Sequence, residues 1–226
     1  MGLRIGVLSL QGDFAEHIAA FEQIGCCARG VKTPAAVAES DALVIPGGES
    51  TTIGKLCERF GVGEAIREMH EAGKPIWGTC AGMILLAKEI ENSDQWRLGL
   101  MDTAVARNAF GRQVDSFETD VEIAGIEGEA VRAVFIRAPF VTRVWGEGKV
   151  LAQFQDKIIM VRQGNLLATA FHPELTDDRR VQEYFLGMVE QAAEDRWLLE
   201  RSESALADPK NRKAIPWQQV KRELGL

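Results

Sequence analysis

No stretch of this sequence carries the roughly 20 consecutive apolar residues that cross a bilayer, and its first residues lack the basic-then-apolar pattern of a secretory leader. A cytoplasmic protein without a membrane segment is expected. Positive charge is in deficit: 26 Lys and Arg against 33 Asp and Glu leave a net charge of −7. That balance argues against a nucleic-acid surface and gives no polybasic membrane patch. The three histidines, His17, His70 and His172, are too dispersed for a metal cluster, and the four cysteines, at 26, 27, 57 and 80, show no C-x-x-C spacing. A disulfide framework and structural zinc are therefore not expected, nor is any cofactor or metal. Internal repeats and low-complexity linkers are also missing, and 226 residues suit one large α/β domain better than two.

What is present is an alternation of short apolar runs and helical stripes. Arg4 to Leu10, Cys26 to Val31 and Ala42 to Ile45 read as strands, and Pro75-Ile76-Trp77 leads into another. Between them, Phe14 to Ile24 carries apolar residues at helical spacing, with Asp13 as a cap and Gly25 closing it, and Ile53 to Phe60 and Gly63 to Ala72 read as further helices. His17 and His70 fall in these amphipathic stretches, where a surface or half-buried place is expected. Alternation of this kind predicts parallel βαβ units whose ligands gather beyond the carboxyl ends of the strands. From Leu98 onward the strand-like runs shorten (101–106, 114–121, 131–136, 150–154, 158–161 and 166–171), predicting antiparallel or mixed pairing grafted onto the parallel core. A last helix is expected from Arg179 to about Leu199, followed by a charged tail broken by Pro209 and Pro216. The expected division is residues 1–200 as the domain and 201–226 as a C-terminal extension.

Three stretches carry chemistry. In Gly78-Thr79-Cys80-Ala81-Gly82 a thiol sits where a strand end meets a helix start, with glycines two residues to either side, fitting a nucleophile elbow. The amino end of the following helix favours a thiolate there, and the backbone N–H of Ala81 would face the oxygen of a carbonyl under attack. A buried structural cysteine in a glycine-rich turn is the plain alternative. In Pro46-Gly47-Gly48-Glu49-Ser50-Thr51-Thr52, adjacent glycines after a strand let the backbone approach a ligand, and Ser50 or Thr51 can cap the helix beyond. The loop suits a second oxyanion donor; a phosphate-binding loop is its rival, though the G-x-x-x-x-G-K-[ST] pattern is absent. In Phe171-His172-Pro173-Glu174, the proline keeps His172 out of the helical region, so residues 172 and 174 are expected on an extended stretch with side chains to one side. His172 would then be a proton shuttle and Glu174 its orienting carboxylate. Arg107 opens a polar loop whose guanidinium groups could clamp a carboxylate or simply be solvated.

Together these stretches resemble the class I glutamine amidotransferases. More closely, Leu10-Gln11-Gly12, the run from Arg107-Asn108-Ala109-Phe110-Gly111-Arg112 to Phe117, Phe135-Ile136-Arg137-Ala138-Pro139 and His172-Pro173-Glu174-Leu175-Thr176 are similar to the glutaminase subunit of pyridoxal 5′-phosphate synthase, over roughly residues 3 to 195. The resemblance implies a three-layer α/β fold of flavodoxin-like type, with a mixed, mostly parallel central sheet flanked by helices. It implies that Cys80, His172 and Glu174 form a triad that hydrolyses L-glutamine to glutamate and ammonia. Gly48 and Ala81 are the expected oxyanion donors, and Gly48, Glu49, Ser50, Arg107, Ile136 and Arg137 the expected glutamine contacts. Ammonia would pass to a synthase subunit, whose docking activates a weak resting glutaminase, with Gln11 at the crevice rim coupling docking to the oxyanion hole. A γ-glutamyl hydrolase, the glutaminase of another synthase and a non-catalytic binding homologue are the competing readings.

Overall fold

The runs at 5–8, 42–45 and 76–79 line up side by side because each is buried on both faces and needs cover on both, while the more exposed run at 27–31 takes the edge. A computed structural model describes residues 3–107 and 116–207. Strands β1 (Arg4–Leu8), β2 (Cys27–Val31), β3 (Ala42–Ile45) and β4 (Ile76–Thr79) pair in parallel in the order β2-β1-β3-β4. They are connected through helices α1 (Phe14–Gln23), α2 (Pro34–Ala38), α3 (Ser50–Arg59) and α4 (Val62–Glu71). After β4 the chain turns into α5 (Ala81–Leu86) and then into β5 (Ala87–Ile90). The carboxy-terminal half supplies β6 (Met101–Ala106), β9 (Phe140–Val144), β10 (Lys149–Phe154), β11 (Lys157–Gln163) and β12 (Leu166–Thr169), extending the sheet to β4-β12-β11-β9-β6-β5 with β10 beside β11. A separate antiparallel ribbon joins β7 (Ser116–Val121) to β8 (Val131–Ile136). The architecture is α/β and three-layered, a mixed sheet flanked by helices.

One pairing matters most for the site. β12 lies parallel to β4, with Thr169 opposite Thr79, although the two strands are far apart in sequence. Residues just past both strand ends are therefore neighbours, and the N–H of Cys80 donates to the Thr169 carbonyl at 2.8 Å to hold them together. Beneath this junction Trp77 is fully buried, packs on Phe185 (ring centroids 5.4 Å apart) and donates its indole N–H to Thr169 Oγ1 at 3.1 Å. A second aromatic cluster, Phe117 stacked on Phe135 with Phe154 and Phe171 around it, fastens the ribbon to the chain segment entering His172.

Several elements differ from expectation. Thr33-Pro34 opens α2, a helix not expected between the second and third strands, with Thr33 Oγ1 accepting from Ala36 N at the cap and Pro34 at a position where a missing N–H costs nothing. The helix after Cys80 ends at Leu86, because Ala87 is extended (φ −63°, ψ 142°) and begins β5, a strand not expected there. β9 follows Pro139, whose presence disguised a strand start. The last helix, α6, runs Arg180–Ala207. The chain divides into two compact units, Met1–Ala192 and Ala193–Leu226, and all the candidate site residues lie in the first. Among the described residues no helix is long and apolar enough to cross a membrane.

Candidate active site

The elbow at Cys80 is built by what its neighbours cannot carry. Cys80 has φ +48° and ψ −99°, a left-handed conformation rare for any residue with a side chain, and it stands directly before the first residue of α5. A Cβ on Gly78 would lie 2.4 Å from the backbone carbon of Gly82, and one on Gly82 would lie 2.2 Å from the carbonyl oxygen of Ile45 in β3. Strand, turn and helix can approach this closely only with hydrogen at both positions. Cys80 is 8% exposed and lines a cavity of about 410 Å³, its sulfur 3.9 Å from the Ile136 carbonyl oxygen.

His172 follows β12 across the same cavity. Its backbone N–H donates to Val134 of β8 at 2.8 Å, which fixes where the ring can reach. Nδ1 is 2.7 Å from Glu174 Oε1, both side chains being nearly or wholly buried. Pro173 to Leu175 form one 3₁₀ turn, so the expected extended geometry is corrected: the turn, not a flat strand, brings the carboxylate under the ring. Burial pushes the His172 imidazole down, but hydrogen bonds with Cys80 and with Glu174, and the carboxylate's charge, outweigh it and raise its pKa to about 10. Burial alone would raise the Glu174 carboxyl; the facing imidazoles of His17 and His172 hold it below its ordinary value instead. The ring that faces the sulfur is thus protonated at neutral pH and backed by an ionised carboxylate. Asp13, His172 and Glu174 bring donor atoms within 4.8 Å of one another. His172 Nδ1, however, is already committed to the carboxylate, the arrangement of a proton relay, not of a metal cage.

The glycine loop forms the facing wall. A Cβ on Gly47 would lie 2.4 Å from His172 Cε1, so the absence of a side chain there is what admits the imidazole. Glu49 caps α3, accepting from the N–H groups of Thr51 and Thr52 at 3.3 and 2.7 Å; this corrects the expectation that Ser50 or Thr51 is the cap. The Glu49 N–H donates to Gln11 Oε1 at 2.8 Å. Arg107 donates to Gln95 Oε1 at 2.8 Å and lies 3.5 Å from Glu49 Oε1. Gln11, Gly48, Glu49, Ser50, Cys80, Ala81, Arg107, Ile136, Arg137 and His172 all line the one cavity, with Glu174 behind His172. Arg137 adopts φ +43° where it enters that lining. The Asn108-to-Asp115 part of the polar loop lies outside the described residues.

A profile of the SNO glutamine amidotransferase family matches residues 7–191. The chain belongs to that family. This family member is 56% identical to the pyridoxal 5′-phosphate synthase subunit PdxT of Moorella thermoacetica over 83% of its length and 100% of that protein's. It is 54% identical to the subunit of the same name from Carboxydothermus hydrogenoformans, covering 83% of this chain and 98% of the other. A crystal structure of a glutamine amidotransferase superposes with a TM-score of 0.79 at 47% identity, over 82% of this chain and 98% of that one.

Four residues of this amidotransferase's site were not foreseen. Asp13 stands at the start of α1 but its side chain makes no cap bond; it lines the cavity instead, 3.9 Å from His172 Nδ1. Ile84, one turn into α5, lines it as well. Gln95 gathers Ser50, Thr51 and Arg107 around its amide, and no periodicity or motif in its loop announces that. His17 is the fourth, and corrects the expectation of a surface or half-buried place: it is fully buried behind Glu174. Its position was legible, since 17 falls on the same helical face as Phe14, Ile18 and Phe21.

Proposed function

We propose that this chain is the glutaminase of a pyridoxal 5′-phosphate synthase, hydrolysing L-glutamine to L-glutamate and ammonia by covalent catalysis at Cys80. The observation that carries the reading is that the Cys80 sulfur and the His172 imidazole line one cavity, with a buried carboxylate 2.7 Å behind the imidazole. The Cys80 sulfur attacks the side-chain amide carbon of glutamine, and the carbonyl electrons move onto oxygen. Gly48 and Ala81 backbone N–H groups receive that oxyanion, where one lost donor typically costs about 10²–10³ in rate. His172 passes its proton to the amide nitrogen, the C–N bond breaks, and ammonia leaves a glutamyl thioester. Water then attacks the thioester, giving a proton back to His172 as the C–S bond breaks, and glutamate is released. Glu174 keeps the imidazole oriented and stabilises its cation throughout.

Glutamine is held by Glu49, Ser50, Arg107 and the backbone of Gly48, Ile136 and Arg137, all on the cavity wall. Neutral ammonia released into water would be protonated or lost, so a docked synthase subunit and a closed path between the sites make chemical sense. That the relatives are subunits of a pyridoxal 5′-phosphate synthase supports that partner. Gln11, which already grips the Glu49 N–H beside Gly48, is the residue through which docking would adjust the oxyanion hole. The reading places the protein in the cytoplasm, with no nucleic-acid partner and with residues from about 201 as an extension outside the glutaminase domain. The test is glutamate release from glutamine by the full chain, with and without the synthase subunit. Release is expected to rise with the subunit and to vanish in Cys80→Ala; equal release by that variant overturns the covalent mechanism.

A further inference from the structure

Behind the triad lies a fourth group that the reaction as written does not use. The His17 side chain is fully buried, its Nε2 3.0 Å from Thr79 Oγ1 and 3.4 Å from Glu174 Oε2. Glu174 Oε1 is taken by His172, while Oε2 has no hydrogen-bond partner among the described residues, and the His17 Nε2 at 3.4 Å is the ring nitrogen that approaches it. The tautomer follows from this geometry. If Nε2 carried no hydrogen, its lone pair would point at a carboxylate oxygen and the N–H at Nδ1 would be buried without a partner. With the hydrogen on Nε2, the donor is 3.0 Å from the threonine oxygen and 3.4 Å from the carboxylate, and of the two ring nitrogens only Nδ1, as a lone pair, is left without a partner. Trp77 meets the ring edge-on at 5.7 Å and is itself pinned to Thr169, so the imidazole cannot swing away.

We propose that His17 is a positioning residue of this amidotransferase: its Nε2–H holds the second oxygen of Glu174, so that the first stays on His172. The inference rests on the glutaminase reading. His17 ties two strand ends, since Thr79 immediately precedes Cys80 while Glu174 belongs to the turn after β12. Besides Glu174, the charged and titratable groups acting on His17 are His172 opposite and Asp13 and Glu16 on its own helix; burial dominates and keeps the ring neutral. A neutral donor stabilises the ionised carboxylate without competing with His172 for its charge.

Removing the donor should raise the pKa of Glu174 and let its carboxylate rotate off His172. Activity requires the ionised form, so the acid limb of kcat/KM moves to higher pH. In His17→Leu, assayed as the full chain with the synthase subunit, the limb is expected to move up by about one pH unit, the scale of one hydrogen bond to a charged group. kcat should fall about tenfold with KM nearly unchanged. His17→Gln, whose amide nitrogen reaches the place of Nε2, restores the wild-type limb; His17→Asn, one bond shorter, does not. A purely structural role would lower the melting temperature and the fraction of titratable Cys80 without moving the limb. A wild-type limb in His17→Leu overturns the proposal, as do coincident limbs in His17→Gln and His17→Asn, which decide the matter should the leucine variant fail to fold. Cys80→Ala run alongside separates the two levels: if it still hydrolyses glutamine the glutaminase reading fails, whereas if it is dead and the His17→Leu limb is unmoved only this inference fails.

Discussion

Replacing Gly82 by alanine would put a methyl group 2.2 Å from the Ile45 carbonyl oxygen and 3.1 Å from that residue's carbonyl carbon and Cβ. Carbon and oxygen sit comfortably at about 3.3–3.6 Å, so α5 and β3 must separate by roughly 1 Å. Both are backbone, and neither can rotate aside. Overpacking of this kind costs about 1–3 kcal/mol, which at this chain length lowers the melting temperature by roughly 2–12 °C. The kinetic penalty should be larger in proportion, because the same shift carries the Ala81 N–H and the Cys80 sulfur out of line with His172, and about 1 Å of misplacement costs about 10² in rate. Scanning calorimetry and steady-state glutaminase kinetics would be read together. A variant that melts within a degree of wild type and turns over normally would refute the claim that this contact sets the elbow. Gly187→Ala is the control: Gly187 lies exposed in mid-helix with nothing within 4 Å of an added Cβ. It should gain about 0.5–1 kcal/mol and leave activity untouched.

Glu174→Gln keeps the shape of the side chain but removes the charge; kcat is expected to fall by at least about 10², with KM changed little, in the same assay. Arg107→Lys loses the planar fork that meets Gln95 and Glu49, and should raise KM for glutamine about tenfold while sparing kcat. The pH dependence of stability has a defined sign. His172 is raised from 6.5 to about 10 in the folded protein, so its pairing with Cys80 and Glu174 contributes fully below pH 6.5 and is lost as pH rises towards 10. The stability difference between wild type and His172→Gln, followed by urea denaturation, should therefore shrink between those values; a constant difference would mean that the imidazole is not paired as described.

Much of the site was legible because its residues are constrained locally. Glycines at 78 and 82 announce a turn with no room for side chains, and the overlaps that a Cβ would make there are the physical content of the motif. Pro173 beside His172 likewise signalled a fixed backbone, although its effect is a 3₁₀ turn and not an extended stretch. What stayed hidden depends on contacts between distant segments. Nothing around Gln95 forecasts that it will join Ser50 to Arg107, and nothing near Asp13 forecasts that its carboxyl will turn to the cavity instead of capping α1. His17 was misjudged for another reason: a polar residue on an apolar helical face was given a surface prior, when burial against Thr79 and Glu174 satisfies part of its hydrogen bonding. The short strands β5 and β9 were missed because sheet membership there comes from pairing with β6, not from an apolar run of their own.

The central claim is that the Cys80 sulfur is the nucleophile towards a glutamine side chain. An electrophilic glutamine analogue bearing a diazo ketone in place of the amide, incubated with the full chain and followed by intact-mass and peptide-mapping mass spectrometry, tests it most directly. One adduct per chain, located on Cys80, prevented by excess glutamine and absent from Cys80→Ala, is the predicted result. Labelling that falls on another residue, or that proceeds unchanged in Cys80→Ala, would contradict it.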